Sequence, residues 1–322
     1  MKKNKLNWLY VIIAILFIIL CIVTAVMFSQ LKPVKSGAFN NRADTNKVII
    51  INNKVSDKEI VDAAVGNVTK DESDRLIDLY NKFKNINDDT MMYIRIRGTN
   101  IDLPVVTQRE ICSEHNKLDN CFYLYRNIYK NTAVNETAVA FVDCSNCITE
   151  DVNDFDKNTT VYGHTWRRQE GWGEAPRIGD PTDYQFAQLV SYTDLDWLHK
   201  HKVLELNTGG EDTYWIPQFV VYTDCVSSEN PDGFNYAKRY HTAEDIDMLY
   251  NRSVIVNNTP VNRETDKLLT LSTCNYKYTN DNTTRFIVVF KLIQANNYEE
   301  ALEAANKQAT YIQKQNDTSW VK

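Results

Sequence analysis

The sequence predicts a mainly β fold, a barrel or sandwich of many short strands with helices at both ends. Two observations carry this. From Met92 the apolar period is two, with Met92, Ile94 and Ile96 alternating with Tyr93, Arg95 and Arg97. Short runs of the same kind recur as far as Ile293, separated by polar loops. The 322 residues are 43% hydrophobic and 11% aromatic, with only ten Gly and seven Pro, which suits one globular domain with appendages. A net charge of −6 argues against a general nucleic-acid binder, which needs a concentrated cationic face.

The elements follow in chain order. Residues 1–7 are expected to be a short cytoplasmic tail carrying Lys2, Lys3 and Lys5. Residues 8–28, Trp8 to Phe28, are uncharged and apolar apart from Thr24; as a helix they extend roughly 31 Å, the thickness of a bilayer core. Val23-Thr24-Ala25 offers a signal-peptidase reading, but the run exceeds the roughly 7–15 residues of a signal core. A single-pass anchor at the cell membrane with the following domain extracellular is the expectation. Residues 29–55, with Pro33, Gly37 and several Asn, read as a linker.

Residues 56–90 read as two helices. Ser56-Asp57-Lys58-Glu59 is a capping-box pattern for the first. Leu76, Leu79, Tyr80, Phe83 and Ile86 form one apolar stripe on the second. Residues 91–296 are the β body. Strands are expected at Met92–Ile96, Ile101–Val106, Ala138–Val142, Thr159–Tyr162, Val203–Leu206, Trp215–Tyr222, Leu268–Ser272 and Phe286–Ile293. Thr242 with Asp245 caps a helix carrying Ile246, Leu249 and Tyr250 between two late strands. Residues 297–322 are a tail with a helix expected over Tyr298–Gln315.

Three side chains could carry chemistry. Cys274 ends one apolar run, Arg285 opens the next, and the polar stretch between them reads as a loop. If the two runs are adjacent antiparallel strands, Cys274 and Arg285 share one end of the sheet. His164 follows its own strand by two residues, after Gly163. A thiol with an ordinary pKa near 8.5 is only a few per cent thiolate at neutral pH, so it needs a base or a cation beside it. An imidazole supplies the proton transfer, and a guanidinium can hydrogen-bond a developing oxyanion. Taken singly, each has a plainer reading: a buried small thiol, a structural histidine, an arginine on an edge strand.

The segments around these residues resemble one known family. Val161-Tyr162-Gly163-His164 is similar to the segment around the sortase catalytic histidine. Leu269-Thr270-Leu271-Ser272-Thr273-Cys274 resembles the sortase cysteine signature, and Arg285-Phe286-Ile287-Val288-Val289 its arginine-led strand. Tyr93 to Val106 is similar to the first barrel strands. The resemblance runs in order from about residue 75 to about 293 and is most like class B sortases.

It implies a closed eight-stranded β-barrel with N-terminal helices packed on it and an inserted helix before the cysteine strand. It implies a Gram-positive cysteine transpeptidase, in wall anchoring or pilus assembly. Cys274 would attack the Thr of a sorting signal, of the Leu-Pro-x-Thr-Gly or Asn-Pro-x-Thr-Asn kind, borne by a surface protein or pilin. His164 is then the acid–base partner and Arg285 the oxyanion stabiliser, while Ser272 and Thr273 would border the substrate. The acyl acceptor would be a peptidoglycan cross-bridge amine or a pilin lysine. No cofactor and no metal are implied. A cysteine protease releasing its acyl group to water, and a non-enzymatic adhesion module on the same barrel, are the competing readings.

The chain departs from the family at several places. Asn275 and Tyr276 follow the cysteine, so no third acid is assigned. The stretch with Trp166, Arg167, Arg168, Trp172 and Pro176 reads as a surface loop. Cys112 and Cys121 sit in what reads as an insertion, and Cys144 and Cys147 form a Cys-x-x-Cys pair. Zinc, redox and disulfide readings apply to these four. Disulfides, as Cys112–Cys121 with Cys144–Cys147 or crossed, suit an exported domain best, and the state of Cys225 stays open.

Overall fold

The structure, a computed structural model, describes residues 75–108, 119–133, 138–167, 178–181, 183–279 and 283–321. The expected membrane anchor, linker and Ser56 helix lie outside the described residues, as do Cys112 and residues 168–177. Among the described residues no helix is long and apolar enough to cross a membrane.

The chain runs α1 (Leu76–Ile86), β1 (Thr90–Ile96), β2 (Asp102–Thr107), β3 (Ala140–Val142), β4 (Asn158–Tyr162), β5 (Thr165–Arg167) and β6 (Asp183–Gln185). It continues through α2 (Leu195–Lys200), β7 (Leu204–Asn207), β8 (Thr213–Asp224), α3 (Ala243–Arg252) and β9 (Ser253–Asn257). It ends in β10 (Leu268–Cys274), β11 (Thr284–Ile293), α4 (Tyr298–Gln308) and β12 (Tyr311–Gln313).

Strand order is β11-β10-β4-β3-β2-β1-β7-β8, and β8 pairs back onto β11, closing an eight-stranded barrel. The β2–β3 and β4–β10 pairs are parallel and the other barrel pairs antiparallel. β9 and β12 extend the sheet from β8, and β5 with β6 forms a separate two-stranded ribbon. The mainly β barrel expected from the sequence is the fold observed.

Strand alternation explains both the core and its coverings. Met92, Ile94 and Ile96 face the barrel interior with Leu269, Leu271, Phe286, Val288 and Phe290. Tyr93 faces out and is covered by Leu76, Leu79, Tyr80 and Phe83 of α1. Ile287 and Val289 face out beneath Leu249 of α3 and Phe234. Ile216 and Ile293 face out beneath Ala301 and Ala305 of α4. Each apolar side chain so covered contributes about 1.5–3 kcal/mol. Strands apolar on both faces read as runs because helices cap the outer face.

The ends of two helices follow from their caps and neighbours. Thr242 and Asp245 form the predicted capping box at α3. The C-terminal helix stops at Gln308, short of the expected Gln315. There Asn257 takes over: its Oδ1 accepts from Thr310 N–H at 3.2 Å, and Tyr311–Gln313 pairs with β9 instead.

Candidate active site

The site lies on the outer face of the barrel, where β4, β10, β11 and β8 end together. The antiparallel register of β10 with β11 sets Cys274 opposite Arg285. The next pair along, β11 with β8, sets Arg285 opposite Thr223. β4 runs parallel to β10 with Tyr162 opposite Ser272, and Gly163 N–H donates to the Ser272 carbonyl at 3.0 Å. Two residues beyond that pair come His164 and Cys274. The parallel pairing thus brings a residue 110 positions upstream to the side of Cys274. Gly163 is required at this exit, since a Cβ there would lie 2.6 Å from the Phe186 ring.

All three side chains line one open cleft of about 1200 Å³. One wall is the segment from Asp119 to Tyr125, and the other runs from Cys225 to Ala237. Asp143 ties the first wall to the barrel: its Oδ2 accepts from Asn120 Nδ2 at 2.9 Å and Tyr162 Oη at 2.8 Å. Tyr123 plugs the same wall into the α1 cluster, its hydroxyl donating to Asp89 at 2.6 Å. Asp224 holds the second wall, accepting from Asn230 Nδ2 at 3.1 Å and Phe234 N–H at 3.2 Å.

His164 is buried, and its Nε2 lies 2.9 Å from the Leu124 carbonyl. A carbonyl can only accept, so Nε2 carries the hydrogen and the neutral ring keeps its lone pair on Nδ1. Burial pushes the His164 pKa below its ordinary value, against the opposing pull of that carbonyl. Of the imidazole and guanidinium expected around the sulfur, the permanent cation is therefore Arg285. Burial works against its charge, but Cys274, Tyr236, Cys225 and Tyr162 together raise the guanidinium above its ordinary value. Arg285 Nη1 also donates to the Thr284 carbonyl at 2.8 Å.

Ser272 and Thr273 both border the cleft, in different ways. Ser272 shares the outer face with Cys274 and bonds the Tyr236 hydroxyl at 2.8 Å in the floor. Alternation turns the Thr273 side chain inward, where its hydroxyl is buried without a hydrogen-bond partner. Thr273 therefore meets the cleft through its backbone.

Two residues near the sulfur went unassigned in the sequence. Tyr236 comes from the second wall and carries no motif. Tyr276 lines the same cleft, and its place after the cysteine was visible only as a missing acid.

The remaining cysteines divide. Cys121 is disulfide-bonded, to a partner outside the described residues. Cys144 and Cys147 carry thiols and no shared disulfide, which corrects the expected second bridge. Their backbones are pulled apart: Cys144 N–H donates to Asn120 and Cys147 N–H to Asp156, at 2.8 Å and 2.9 Å. Cys225 is buried with its thiol donating to the Thr283 carbonyl at 3.3 Å. Among the described residues no cluster of His, Cys, Asp and Glu could hold a metal ion.

An outer-face cleft of this kind on an eight-stranded mixed barrel defines the sortase fold, and the chain has that fold. Within it the chain resembles sortase B. It is 21% identical to Staphylococcus aureus sortase B complexed with MTSET, with a TM-score of 0.50 covering 74% of this chain and 86% of that one. A sortase B complexed with triglycine is 21% identical at a TM-score of 0.50, covering 74% and 95%. Clostridium perfringens sortase B is 27% identical at a TM-score of 0.47, covering 66% and 99%. No family model matches the sequence, and no curated protein does.

Proposed function

We propose that the protein is a membrane-anchored cysteine transpeptidase that cuts a sorting signal after its Thr and transfers the acyl group to an amine. One observation carries this reading: strand register sets Cys274 beside Arg285, and His164 joins them in one open cleft. His164 Nδ1 takes the Cys274 proton, and the thiolate attacks the Thr carbonyl carbon. Arg285 donates to the resulting oxyanion. The imidazolium then protonates the leaving amine as the C–N bond breaks, and a thioester remains. An incoming amine attacks that thioester, gives its proton to His164, and Cys274 leaves as thiolate. The chemistry calls for no metal or cofactor.

The partners in this proposal are a surface protein or pilin bearing the signal and a cross-bridge or pilin amine. Residues 8–28 would hold the catalytic domain on the outer side of the membrane. Because a similar sortase B is complexed with triglycine, that peptide is the acceptor to use first. The domain following residue 55 is incubated with a fluorescent sorting-signal peptide, with and without triglycine. A mass-identified product carrying triglycine is expected. Hydrolysis alone at saturating amine would make the protein a protease, and absence of any acyl-enzyme would leave a binding module.

A further inference from the structure

Residues 314–321 leave β12 and run past the end of α3 to the cleft end of the barrel. Lys314 Nζ donates to the Tyr250 carbonyl at 2.7 Å, and Asp317 N–H to the Asn251 carbonyl at 2.8 Å. The segment thus takes up two carbonyls that a helix leaves open at its C-terminal end. A tight turn follows: Ser319 N–H donates to Asp317 Oδ1 and the Trp320 indole N–H to the Asp317 carbonyl, both at 2.8 Å. Trp320 is buried in the barrel interior with Tyr222 and Phe286, the sequence neighbours of the paired Thr223 and Arg285. From that seat it meets both segments that leave the strands for the cleft. Tyr278, in the loop after Cys274, packs edge-on against the indole with ring centres 5.4 Å apart, and Asn316 Nδ2 donates to its hydroxyl at 3.4 Å. Arg252, the last residue of α3, sets its guanidinium carbon 5.6 Å from the Trp320 ring centre. The same carbon is 5.2 Å from the ring centre of Phe234, which lines the cleft. Arg252 Nη1 also donates to the Thr223 hydroxyl at 2.6 Å and pairs with Asp224, the carboxylate that holds the second wall.

We infer that Trp320 is a positioning residue of the active site, fixing the loop after Cys274 through Tyr278 and the second wall through Arg252. The inference rests on the reading of this cleft as the active site. A planar guanidinium that must satisfy a carboxylate and face two rings has one orientation open to it. Phe234 and Asp224 are held by that orientation, so the second wall inherits it. The β10–β11 ladder fixes Cys274 and Arg285 unaided. Trp320 therefore governs the segments that the ladder leaves free, and it acts from behind the residues that line the cleft.

Amide hydrogen exchange in the full-length protein reads these segments directly and needs no substrate. Trp320→Phe keeps a buried ring but loses the indole N–H and part of the attraction for the guanidinium. Exchange in residues 226–237 and 275–279 is expected to quicken by about three- to tenfold. Residues 90–107, in strands on the opposite side of the barrel, should keep their wild-type rates. Arg252→Lys should quicken residues 226–237 alone, because Trp320 meets Tyr278 without it. Ile94→Val lowers stability from within β1 and should leave both segments at wild-type rates. If Ile94→Val quickens them as much as Trp320→Phe does, the role of Trp320 is merely structural and the inference fails. It fails equally if Trp320→Phe leaves both segments unchanged. Where Trp320→Phe does not fold, Arg252→Lys decides alone, and unchanged exchange in residues 226–237 overturns the inference. With a sorting-signal peptide, Trp320→Phe should raise KM by a similar factor and leave kcat unchanged, since the Cys274–Arg285 pair is untouched. A wild-type protein that never acylates would sink the transpeptidase reading, while the exchange pattern still decides this one.

Discussion

Cys274 and Arg285 are held by a different kind of structure from His164. The first two are cross-strand partners in a seven-pair ladder, Leu268–Lys291 through Cys274–Arg285, so their separation is a property of the barrel. His164 lies beyond the last residue of β4, and its ring is oriented by the Leu124 carbonyl on a wall segment. That wall is held mainly through side chains: Asn120 to Asp143 and to Cys144 N–H, Gln108 to Phe122 N–H, and Tyr123 to Asp89. A ladder cannot yield at one residue without breaking its neighbours, whereas a side-chain strap can fail alone. The Cys274–Arg285 pair is thus built in, and the position of His164 is adjustable.

The largest effects should come from the ladder half, because the proposed nucleophile and oxyanion donor have no slack to recover. Cys274→Ala is expected to lower acyl transfer by about 10⁴-fold or more, read as loss of a trapped thioester in intact mass. Arg285→Lys keeps a positive charge but loses the planar fork. A fall of roughly 10²-fold in kcat is expected, as for loss of one oxyanion donor. A lysine variant with near wild-type kcat would show that charge alone suffices, and would break the idea that the register fixes a directional donor.

The strap half gives a smaller and more diagnostic effect. Asp143→Ala leaves Asn120 and the Tyr162 hydroxyl without their shared acceptor. A drop of about tenfold in kcat is expected from a misplaced imidazole, with Cys274 alkylation at pH 9 nearly unchanged. Equal losses in both assays would mean that the wall also supports the sulfur, and the two halves would not be separable.

The same division decided what was legible in the sequence. All eight barrel strands could be read, because each alternates or runs apolar and β-branched residues over strand length; α1 and α3 showed through a stripe and a capping box. The Cys274–Arg285 pairing followed from two runs joined by one polar loop. The β4–β10 pairing did not follow, since parallel partners lie 110 residues apart and leave no local trace. β9 was hidden because it begins at the residue after α3 ends, and β12 because Ala309 and Thr310 continue a helix-forming composition. Tyr236 and Tyr276 escaped for another reason. Their places in the cleft come from where a loop is folded back, by Asp224 in one case and Thr284 in the other.

The smallest expected effect concerns proton uptake and tests whether His164 is as enclosed as its strap implies. Burial pushes the pKa values of both His164 and His241 down in the folded protein. Nε2 of His241 meets the Tyr236 carbonyl at 2.9 Å, and among the charged groups around it Asp245 favours the proton while Lys238 opposes it. A histidine that binds its proton more weakly in the folded state takes it up first in the unfolded chain. Stability is therefore highest above the ordinary histidine value near 6.5 and declines as pH falls through it, levelling off below the folded value. Denaturant titrations at pH 7.5 and pH 5.5 measure the decline, and His241→Gln, which can keep a donor to the Tyr236 carbonyl, should reduce the difference. His164→Gln should reduce it by a comparable amount if the Leu124 wall stays closed over the ring. If removing His164 leaves the decline intact, the imidazole is open to water in solution, and the strap holds it less firmly than the ladder comparison requires.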